Sequence, residues 1–322
     1  MIGNVKVSIL VLAFNHEAYI RRCLDGILMQ KVRFPFEVLV HDDASKDGTP
    51  CIIQEYFSRY PGIIKPIFQT ENKFSLGIPI GATFLYPIAQ GDYIAECEGD
   101  DYWTDPNKLQ EQVSFLESHP DYGFVGTNNE MLNPDGTIVS ERKNFTPISI
   151  EGGCWELYGD VFDSAKYGPI TRTLTLCFRK SIIMPYLEHI KGDLILETIL
   201  AKHSYFANYN RSTAVYRNGV GISGSHNSLE KQLRYNDWFI TNRRIQKLLF
   251  PEDCNWNDDE LSDRGEYINL RIKIRDRNWR EALEIKKSLR SSLYKNKTYS
   301  KYLFGPISCL LLSSTLRRKR TS

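Results

Sequence analysis

The chain has 322 residues, which is long enough for one large α/β domain with a buried core and a smaller appendage. The hydrophobic fraction of 42% and the charged fraction of 25% are ordinary for a soluble protein, and a net charge of only +2 argues against a nucleic-acid-binding protein. The 7 cysteines are scattered with no Cys-x-x-Cys pair, so we expect reduced thiols in a cytoplasmic protein. The apolar run at the amino terminus is short and lacks a basic leader, and no signal peptide is predicted.

The first half of the chain alternates between strand and helix patterns. Val7 to Phe14 is almost continuously apolar, which is typical of a strand buried on both faces of a parallel sheet. Further helix and strand patterns cover residues 20–28, 37–43, 52–57, 63–69, 80–89 and 93–98. This order predicts an α/β fold with a doubly wound, mostly parallel sheet and flanking helices, in which ligands bind at the carboxyl ends of the strands.

The second half gives weaker patterns. Asp105 and Pro106 predict the start of a helix, with the aspartate as N-cap and the proline at the first helical position. Asn133-Pro134-Asp135-Gly136 predicts a hairpin, and residues 140–170 are predicted to be a loop. Further strands are predicted at 124–126, 173–178 and 214–217, and further helices at 182–190 and 194–202.

A glycine- and serine-rich stretch predicts a boundary, which divides the chain into a domain of residues 1–224 and a helical region of residues 225–322. Near the end, an apolar stretch at 303–312 is followed by a basic cluster at 316–320. The apolar stretch is too short to span a membrane, and its basic flank suits contact with an anionic membrane surface. A terminal helix that packs on the body of the protein is the alternative.

The densest group of acidic side chains follows the strand predicted at 93–98. Glu98, Asp100 and Asp101 lie close together, and no lysine or arginine follows until Lys108. Clustered carboxylates raise one another's pKa unless a cation lies among them. Oxygen ligands at a strand end suit Mg²⁺ or Mn²⁺, which often bind phosphate as well. A solvated acidic turn that caps the next helix is the alternative.

Three stretches, taken together, resemble the inverting family 2 glycosyltransferases with the GT-A fold, over about Lys6 to about Gly224. Val7–Asn15 corresponds to the family's strand that ends in Pro-Thr-Tyr-Asn. Residues 42–49, Asp-Asp-Ala-Ser-Lys-Asp-Gly-Thr, are close to the family's Asp-Asp-Gly-Ser-x-Asp-Gly-Thr. Residues 98–103, Glu-Gly-Asp-Asp-Tyr-Trp, match its Asp-x-Asp-Asp with glutamate in first place, and resemble the bacterial surface-polysaccharide subset. One such motif is weak, but three in order are a specific pattern.

The resemblance implies a nucleotide-diphosphate sugar as donor, most often a UDP-sugar. The positions that match the family's base and ribose contacts are Ala13, Phe14, Asn15, Glu17, Asp42 and Asp43. An aspartate can accept the ring N–H of a pyrimidine, and an aromatic ring can pack on the base. The alternatives are turn acids that cap the next helix for the two aspartates, and a plain core position for the phenylalanine.

The resemblance also implies a divalent cofactor, Mn²⁺ or Mg²⁺. Asp100 and Asp101 match the metal and ribose positions, and the sequence does not fix which of them binds the metal directly. A divalent ion on the two phosphates stabilises the charge that develops on the leaving diphosphate. Glu98 stands where the family has aspartate, so its role is less secure. Trp103 is interpreted first as a buried structural residue and second as part of the sugar pocket.

Inversion in one displacement needs a base that takes the proton of the acceptor hydroxyl. The family has an acid at a helix start, and Lys191-Gly192-Asp193-Leu194 fits that place, so Asp193 is the candidate base and Glu197 the reserve. An ordinary N-cap is the alternative for Asp193.

Tyr216-Arg217-Asn218-Gly219 resembles the family's Tyr-Arg-x-His, with Gly219 in place of the histidine. Either His226 supplies the imidazole from a shifted loop or it is absent. Arg217 is assigned either to the diphosphate or to a structural salt bridge.

The predicted function is that of a metal-dependent, inverting, hexosyltransferase-type glycosyltransferase in surface-polysaccharide synthesis, such as that of capsule or lipopolysaccharide. It would add one sugar to a glycan or lipid-linked acceptor, since the processive synthases' Gln-x-x-Arg-Trp is absent, and would act in the cytoplasm or at the inner membrane face. A sugar-phosphate nucleotidyltransferase is an alternative, but residues 15–18 are not the glycine-rich, basic phosphate loop that it needs. A non-catalytic scaffold protein is a third hypothesis, and the retained acidic residues argue against it.

Overall fold

A computed structural model describes residues 4–141, 146–165, 168–220 and 229–254, together with parts of residues 268–285. The chain divides into two compact units, Met1–Gly224 and Ser225–Ser322. All the candidate site residues named above except His226 belong to the first unit. In the second unit the structure describes one long helix, Leu229–Leu249 (α7 in the numbering below), and shorter helical stretches after it.

The first unit begins with alternating strands and helices, as the sequence predicts. These elements are β1 (Val7–Ala13), α1 (Ile20–Leu28), β2 (Phe36–Asp42), α2 (Thr49–Arg59), β3 (Ile64–Phe68) and β4 (Tyr93–Glu96). A 3₁₀ helix at Phe74–Leu76 and a π-helical segment at Gly81–Leu85 lie between β3 and β4.

The remaining elements of this unit are shorter and more irregular. They are β5 (Tyr102–Trp103), α3 (Lys108–Ser118), β6 (Tyr122–Leu132), β7 (Ile138–Glu141), β8 (Ser149–Glu151), β9 (Trp155–Gly159), α4 (Phe162–Ala165), β10 (Cys177–Arg179), α5 (Lys180–Ile183), α6 (Asp193–His203) and β11 (Tyr205–Arg217). 3₁₀ helices at Thr173–Thr175 and Met184–His189 complete the set.

The strands form one mixed sheet in the order β3-β2-β1-β4-β10-β6-β11-β9-β8. Strands β3, β2, β1 and β4 are parallel neighbours, and β6 and β11 run parallel to each other. Strand β10 is antiparallel to both β4 and β6, so all six of these strands point the same way. The prediction of a doubly wound, mostly parallel sheet with flanking helices is confirmed.

Burial follows the predicted pattern. Every residue of β1 except Leu12 is buried, which explains its continuous apolar run. Helix α1 buries Ile20, Leu24 and Ile27 against the sheet. A Cβ atom at Gly26 would lie 2.6 Å from the Trp103 carbonyl oxygen, so glycine lets α1 touch the backbone of β5 directly. This contact fixes the segment between β4 and β5, which carries the acidic cluster.

The prediction that residues 140–170 form a loop is wrong, because β8, β9 and α4 lie there. Strand β9 forms where Trp155–Gly159 pairs antiparallel with Phe206–Tyr209 of β11. Trp155 also stacks on Phe115 with ring centroids 4.1 Å apart. The glycines and mixed polarity of this stretch hide strands that only pairing with a distant segment creates.

Three other elements differ from the prediction. Helix α3 begins at Lys108 with Asn107 as N-cap, whereas Asp105 accepts the Asn107 N–H at 2.8 Å and closes a turn before the helix. Thr173–Thr175 is a 3₁₀ helix, so the predicted strand shortens to β10. The helix predicted at 182–190 divides into α5 and a 3₁₀ helix that contains Pro185, which lacks the N–H that a continuous helix needs.

The basic cluster and apolar stretch near the carboxyl terminus lie outside the described residues, as does His226. Within the described part of the chain, every helix is too short or too polar to cross a membrane.

Candidate active site

Two loops at the carboxyl ends of neighbouring strands are joined by hydrogen bonds. Ala13 of β1 pairs in register with Asp42 of β2, so the loops that follow them start side by side. The Asn15 N–H donates to Ser45 Oγ and the Lys46 N–H donates to Asn15 Oδ1, both at 2.8 Å. The side chain of Asn15 is therefore committed to holding the second loop in place.

Glu17 has a similar part in this junction. Its N–H donates to Asp47 Oδ2 at 3.0 Å, and its Oε2 accepts the Gly48 N–H at 2.8 Å. Asn15 and Ala44 both have left-handed backbone conformations, with φ of 56° and 62°. Such strain in residues other than glycine is concentrated at functional sites, where the surrounding bonds maintain it.

Asp42 lies at the bottom of this junction, with only 1% of its surface exposed. Its Oδ2 accepts the Ser45 N–H at 3.1 Å, while its buried Oδ1 has no hydrogen-bond partner in the described part of the protein. Burial raises the pKa of Asp42. An unpaired buried acceptor costs free energy, and a ligand N–H would satisfy it.

Asp43 and Phe14 lie in different surroundings from those that their sequence alternatives suggest. The Asp43 carboxylate accepts the N–H groups of Lys73 and Phe74, at 2.8 and 3.0 Å, and so caps a 3₁₀ helix that is distant in sequence rather than the next helix. Phe14 is 41% exposed, so it is not a core residue, whereas Ala13 is buried. An exposed ring next to Asp42 is open to a planar ligand.

The acidic cluster forms a turn between β4 and β5. The Gly99 N–H donates to the Leu12 carbonyl at 2.8 Å, which ties the turn to β1. Asp101 is 2% exposed, and its Oδ1 accepts the Arg217 backbone N–H at 2.8 Å. Its Oδ2 is buried with no partner in the described part of the chain. Burial, reinforced by Asp100, raises the pKa of Asp101 to about 8.

The causes that raise the pKa of Glu98 identify the carboxylates around this turn. Burial is the largest cause that raises its pKa well above the usual value, and the charges of Asp101, Asp100 and Asp193 raise it further. Asp193 is far away in the sequence, yet its charge acts on the same side chain. Like charges that raise one another's pKa lie in one neighbourhood, and a divalent cation placed among them would relieve their repulsion.

Asp193 is the first residue of α6 and is exposed. Gly192 holds the N-cap position, so the N-cap interpretation of Asp193 is wrong. Its Oδ2 accepts one long hydrogen bond, 3.4 Å, from the Thr173 hydroxyl. The carboxylate is therefore placed at the surface of the site and is open to another hydroxyl group.

Glu197, the reserve candidate, has a different environment. It is 1% exposed, and its carboxylate accepts the backbone N–H groups of Ile170 and Thr171 and the Thr171 hydroxyl. These bonds make Glu197 the anchor of the segment that leads to Thr173. A side chain held in this way is better suited to support than to proton transfer.

Arg217 lies over two aromatic rings. Its guanidinium carbon is 4.9 Å from the Tyr102 ring centroid and 5.0 Å from that of Tyr19. Its buried Nε has no hydrogen-bond partner, and no carboxylate of the described residues forms an ion pair with it. A cation that packs on aromatic rings beside Asp101 can bind an anionic ligand.

Trp103 is a structural residue. It is 2% exposed, its Nε1 donates to the Leu174 carbonyl at 2.9 Å, and the Lys108 Nζ lies 4.2 Å from its ring centroid. Lys108 is itself buried and donates to Gln112 Oε1 at 2.8 Å. The indole ring thus supports the acidic turn from behind and does not line a sugar pocket.

Sequence reasoning missed two residues. Glu96 is 7% exposed and accepts the Tyr86 hydroxyl at 2.7 Å; burial, followed by the charges of Asp193 and Glu197, raises its pKa to about 7. Its position two residues before Glu98 in the strand predicted at 93–98, which would place both side chains on one face, could have revealed it.

The second missed residue is His16, which lies between the two acidic loops. Its Nε2 is 3.8 Å from Asp100 Oδ2. Burial lowers its pKa, whereas the charges of Asp100, Asp47 and Asp42 raise it, so acids of both loops act on the ring. The Asn-His-Glu sequence after the first strand drew attention only to its flanking residues.

The donor set suits a metal that a substrate helps to hold. Among the described residues, no three His, Cys, Asp or Glu side chains are grouped tightly enough to form a complete metal site. The unpaired Oδ2 of Asp101 and the neighbouring carboxylate of Asp100 are hard oxygen donors, which Mn²⁺ and Mg²⁺ prefer. Phosphate oxygens commonly complete such a site, so the residues present fit a divalent cation.

Curated relatives match different shares of this chain. Protein Rv1520 of Mycobacterium tuberculosis, which is uncharacterized, is 43% identical over 143 residues, or 44% of this chain and 40% of its own length. TuaG of Bacillus subtilis, named for a glycosyltransferase role in teichuronic acid biosynthesis, is 26% identical over 245 residues, or 76% of this chain and 90% of its own length. The match thus spans less than half the length of the mycobacterial relative.

Solved structures share the fold. S. aureus TarS in complex with UDP-GlcNAc superimposes with a TM-score of 0.56 at 15% sequence identity, over 84% of this chain and 73% of that chain. Mannosyltransferase PcManGT from Pyrobaculum calidifontis, in complex with GDP-Man and Mn²⁺, gives a TM-score of 0.51 at 16% identity, over 98% of this chain and 80% of that chain. Residues 8–173, which contain β1, β2 and the acidic turn, match the family described as Glycosyl transferase family 2. The chain therefore belongs to glycosyl transferase family 2.

Proposed function

We propose that this protein transfers a single sugar, with inversion, from a nucleotide-diphosphate sugar to a glycan or lipid-linked acceptor in surface-polysaccharide synthesis. The donor nucleotide is proposed to be UDP. Family membership supports the transferase reaction. The printed names of TuaG and of the TarS complex with UDP-GlcNAc support the polysaccharide and nucleotide parts of the proposal.

One observation carries the proposal: several carboxylates lie around the turn after β4, where Asp101 is buried and its Oδ2 has no hydrogen-bond partner among the described residues. The charges of Asp101, Asp100 and Asp193 all raise the pKa of Glu98. Such a group of carboxylates is costly in an empty protein and becomes favourable when a cation and its anionic ligand bind there. A nucleoside diphosphate with a divalent ion supplies both.

The donor would lie across the two loops at the ends of β1 and β2. Asp42 Oδ1, buried and unpaired, would accept the ring N–H of the base, and the exposed ring of Phe14 would pack against the base. Asn15 and Glu17 would act by fixing the loops rather than by direct contact, because their side chains are already bonded to Lys46 and Gly48.

The diphosphate would lie between the acidic turn and Arg217. Asp101 and Asp100 would hold Mn²⁺ or Mg²⁺, and the guanidinium of Arg217 would bind a phosphate oxygen from the other side. When bound, the cation supplies Lewis-acid stabilisation of the leaving diphosphate. Asp101 also holds the Arg217 backbone through its Oδ1, so the two groups are positioned together.

Asp193 would take the proton from the attacking acceptor hydroxyl. Its carboxylate is exposed at the start of α6 and, among the described residues, accepts a long bond from Thr173, which an incoming hydroxyl can replace. The membrane-surface contact proposed for the basic tail would suit a lipid-linked acceptor.

Nucleotide titration tests the proposal. UDP, GDP, CDP and dTDP are added with and without Mn²⁺, and the thermal stability of the full chain is followed. Ligand at about 100 times its Kd stabilises by about 2.7 kcal/mol, so the preferred nucleotide is easily recognised. We expect the largest stabilisation from UDP with Mn²⁺. Equal, small effects from all four nucleotides, with no metal dependence, would contradict a nucleotide-sugar transferase.

A further inference from the structure

His16 is a buried imidazole between the two loops that carry the candidate binding acids. Its side chain is only 13% exposed, and its Nε2 lies 3.8 Å from Oδ2 of Asp100. Its other ring nitrogen, Nδ1, is buried and has no hydrogen-bond partner in the part of the chain that the structure describes. Nε2 is therefore the ring nitrogen that faces a polar group of the candidate site, and that group is the Asp100 carboxylate.

The backbone of the acidic turn leaves space for this ring. A Cβ atom at position 99 would lie 2.8 Å from the His16 Nδ1 and 3.1 Å from the Leu12 carbonyl oxygen. Contacts of 2.8 Å to carbon do not occur without movement of a neighbour. Gly99 thus allows the imidazole to reach past the turn to the carboxylate of the next residue.

Contacts of the His16 backbone and of its ring also hold this residue in place. The backbone N–H of His16 donates to Thr49 Oγ1 at 2.8 Å, at the start of α2. The ring packs edge-on against Tyr19, with centroids 6.4 Å apart, and the Tyr19 ring in turn lies 5.0 Å from the Arg217 guanidinium. These contacts fix the imidazole relative to the loops on which the proposed nucleotide site depends.

We propose that His16 is a positioning residue that orients the Asp100 carboxylate for metal-dependent binding of the diphosphate. Carboxylates that bind a metal through one oxygen are commonly oriented by a hydrogen bond to the other, and loss of such a partner costs about 10- to 100-fold in metal affinity or activity. The present 3.8 Å is longer than a hydrogen bond, and a small turn of the carboxylate closes it. The inference rests on the proposed function.

The test compares His16→Leu and His16→Gln in the full chain. UDP affinity is measured by calorimetry with and without Mn²⁺, alongside thermal stability. We expect His16→Leu to weaken UDP binding about 10-fold or more with Mn²⁺ and hardly at all without it. His16→Gln should recover most of the loss, because its amide N–H reaches the place of Nε2. His189→Gln, which alters a histidine paired with Glu188 away from the site, is the control.

Gly99→Ala provides a second variant that leaves His16 in the sequence. The new methyl group would displace the ring, so we expect a loss in the same direction as that of His16→Leu and again only with Mn²⁺.

Three outcomes would overturn the inference. Equal losses of UDP affinity with and without Mn²⁺ would mean that His16 only packs the loops. A His16→Gln variant as weak as His16→Leu would mean that the imidazole itself binds the ligand. Unchanged metal dependence in His16→Leu, with a wild-type protein that binds UDP, would remove His16 alone. A wild-type protein that binds no nucleoside diphosphate would refute the proposed function, and this inference with it.

Discussion

The two halves of the sheet hold their loops in different ways. In the first half, strands β1, β2 and β4 end at one edge, and side chains of their loops bond directly to the backbone of the neighbouring loop, as Asn15 does with Lys46 and Asp43 with Phe74. In the second half, the pairing of β11 with β6 shifts register between Tyr209 and Ser212 and again before Val215. The loops of the first half are joined to one another by side-chain hydrogen bonds, whereas the second half is assembled from irregular pieces.

The outer strands of the second half sharpen this contrast. Ile138 of β7, Ile148 before β8 and Ile150 of β8 are exposed, whereas the core of the first half is closed by α1 and α2. A nucleotide is the same for many transferases of one family, but acceptors differ. A rigid half for the shared ligand and a variable half for the specific one is the division that this difference suggests.

The largest effect is expected from Asp101→Asn, which alters the first half's acidic turn. Turnover should fall by on the order of 1,000-fold and metal-dependent UDP binding should be lost, because the buried Oδ2 would no longer carry the charge that a cation needs. Transfer rates and UDP titrations with and without Mn²⁺ measure both. Asp105→Asn, a nearby turn acid, is the control and should retain activity. Unchanged metal dependence would remove Asp101 from the metal site.

Asp193→Asn tests the second half's contribution to the chemistry. Turnover should fall by about 100-fold or more, because the amide cannot take the acceptor proton, whereas UDP affinity should change far less, since Asp193 is not proposed to hold the metal or the nucleotide. Comparing kcat with the Kd for UDP separates the two effects. Asp160→Asn, which alters an acid that accepts the Phe162 N–H at the start of α4, serves as the matched control. A near-normal kcat would exclude Asp193 as the base.

Glu96→Gln tests, through the pH dependence of stability, the last residue of β4, where the two halves of the sheet meet. The pKa of Glu96 in the folded protein, about 7, lies above its ordinary value of 4.5, so the folded state binds the proton more tightly than the unfolded chain. Its contribution to stability therefore falls as the pH rises from about 4.5 to about 7, by on the order of 3 kcal/mol. Glu96→Gln should remove this fall, as denaturant titrations across that range would measure. A pH dependence identical to that of the wild type would refute the assignment.

The smallest effect is expected from Glu197→Gln. The amide oxygen can still accept the N–H of Thr171, but without the charge, so we expect a loss of about 1 kcal/mol of stability and a modest drop in turnover through Thr173 and Asp193. Urea unfolding measures the first effect. Glu188→Gln, which alters an exposed acid of the same half, should change neither. A loss of turnover as large as that of Asp193→Asn would make Glu197 the better base.

The sequence predicted the first half well because its features are local. Periodic apolar residues define β1 and α1, and the acids that follow β2 and β4 occur within short motifs. The order of the parallel strands then brings those motifs to one edge without further information. Membership of the family and the sheet architecture were therefore both available from the chain alone.

What the sequence could not give depends on contacts between distant segments. Strand β9 exists because it pairs with β11, and no local pattern within 140–170 indicates this. The role of Glu197 depends on Ile170 and Thr171, a separation of 27 and 26 residues. The contact between His16 and Asp100 requires Gly99 and the register of β1 against β4.

The close approach of Gly26 to the Trp103 carbonyl has a consequence for how the enzyme could work. No side chain separates helix α1 from strand β5, so the two elements pack directly against each other. The Trp103 indole also donates a hydrogen bond to the Leu174 carbonyl. The wall of the site on that side is therefore expected to move little. Any movement that admits a donor or releases the spent nucleotide is therefore expected in other segments of the site.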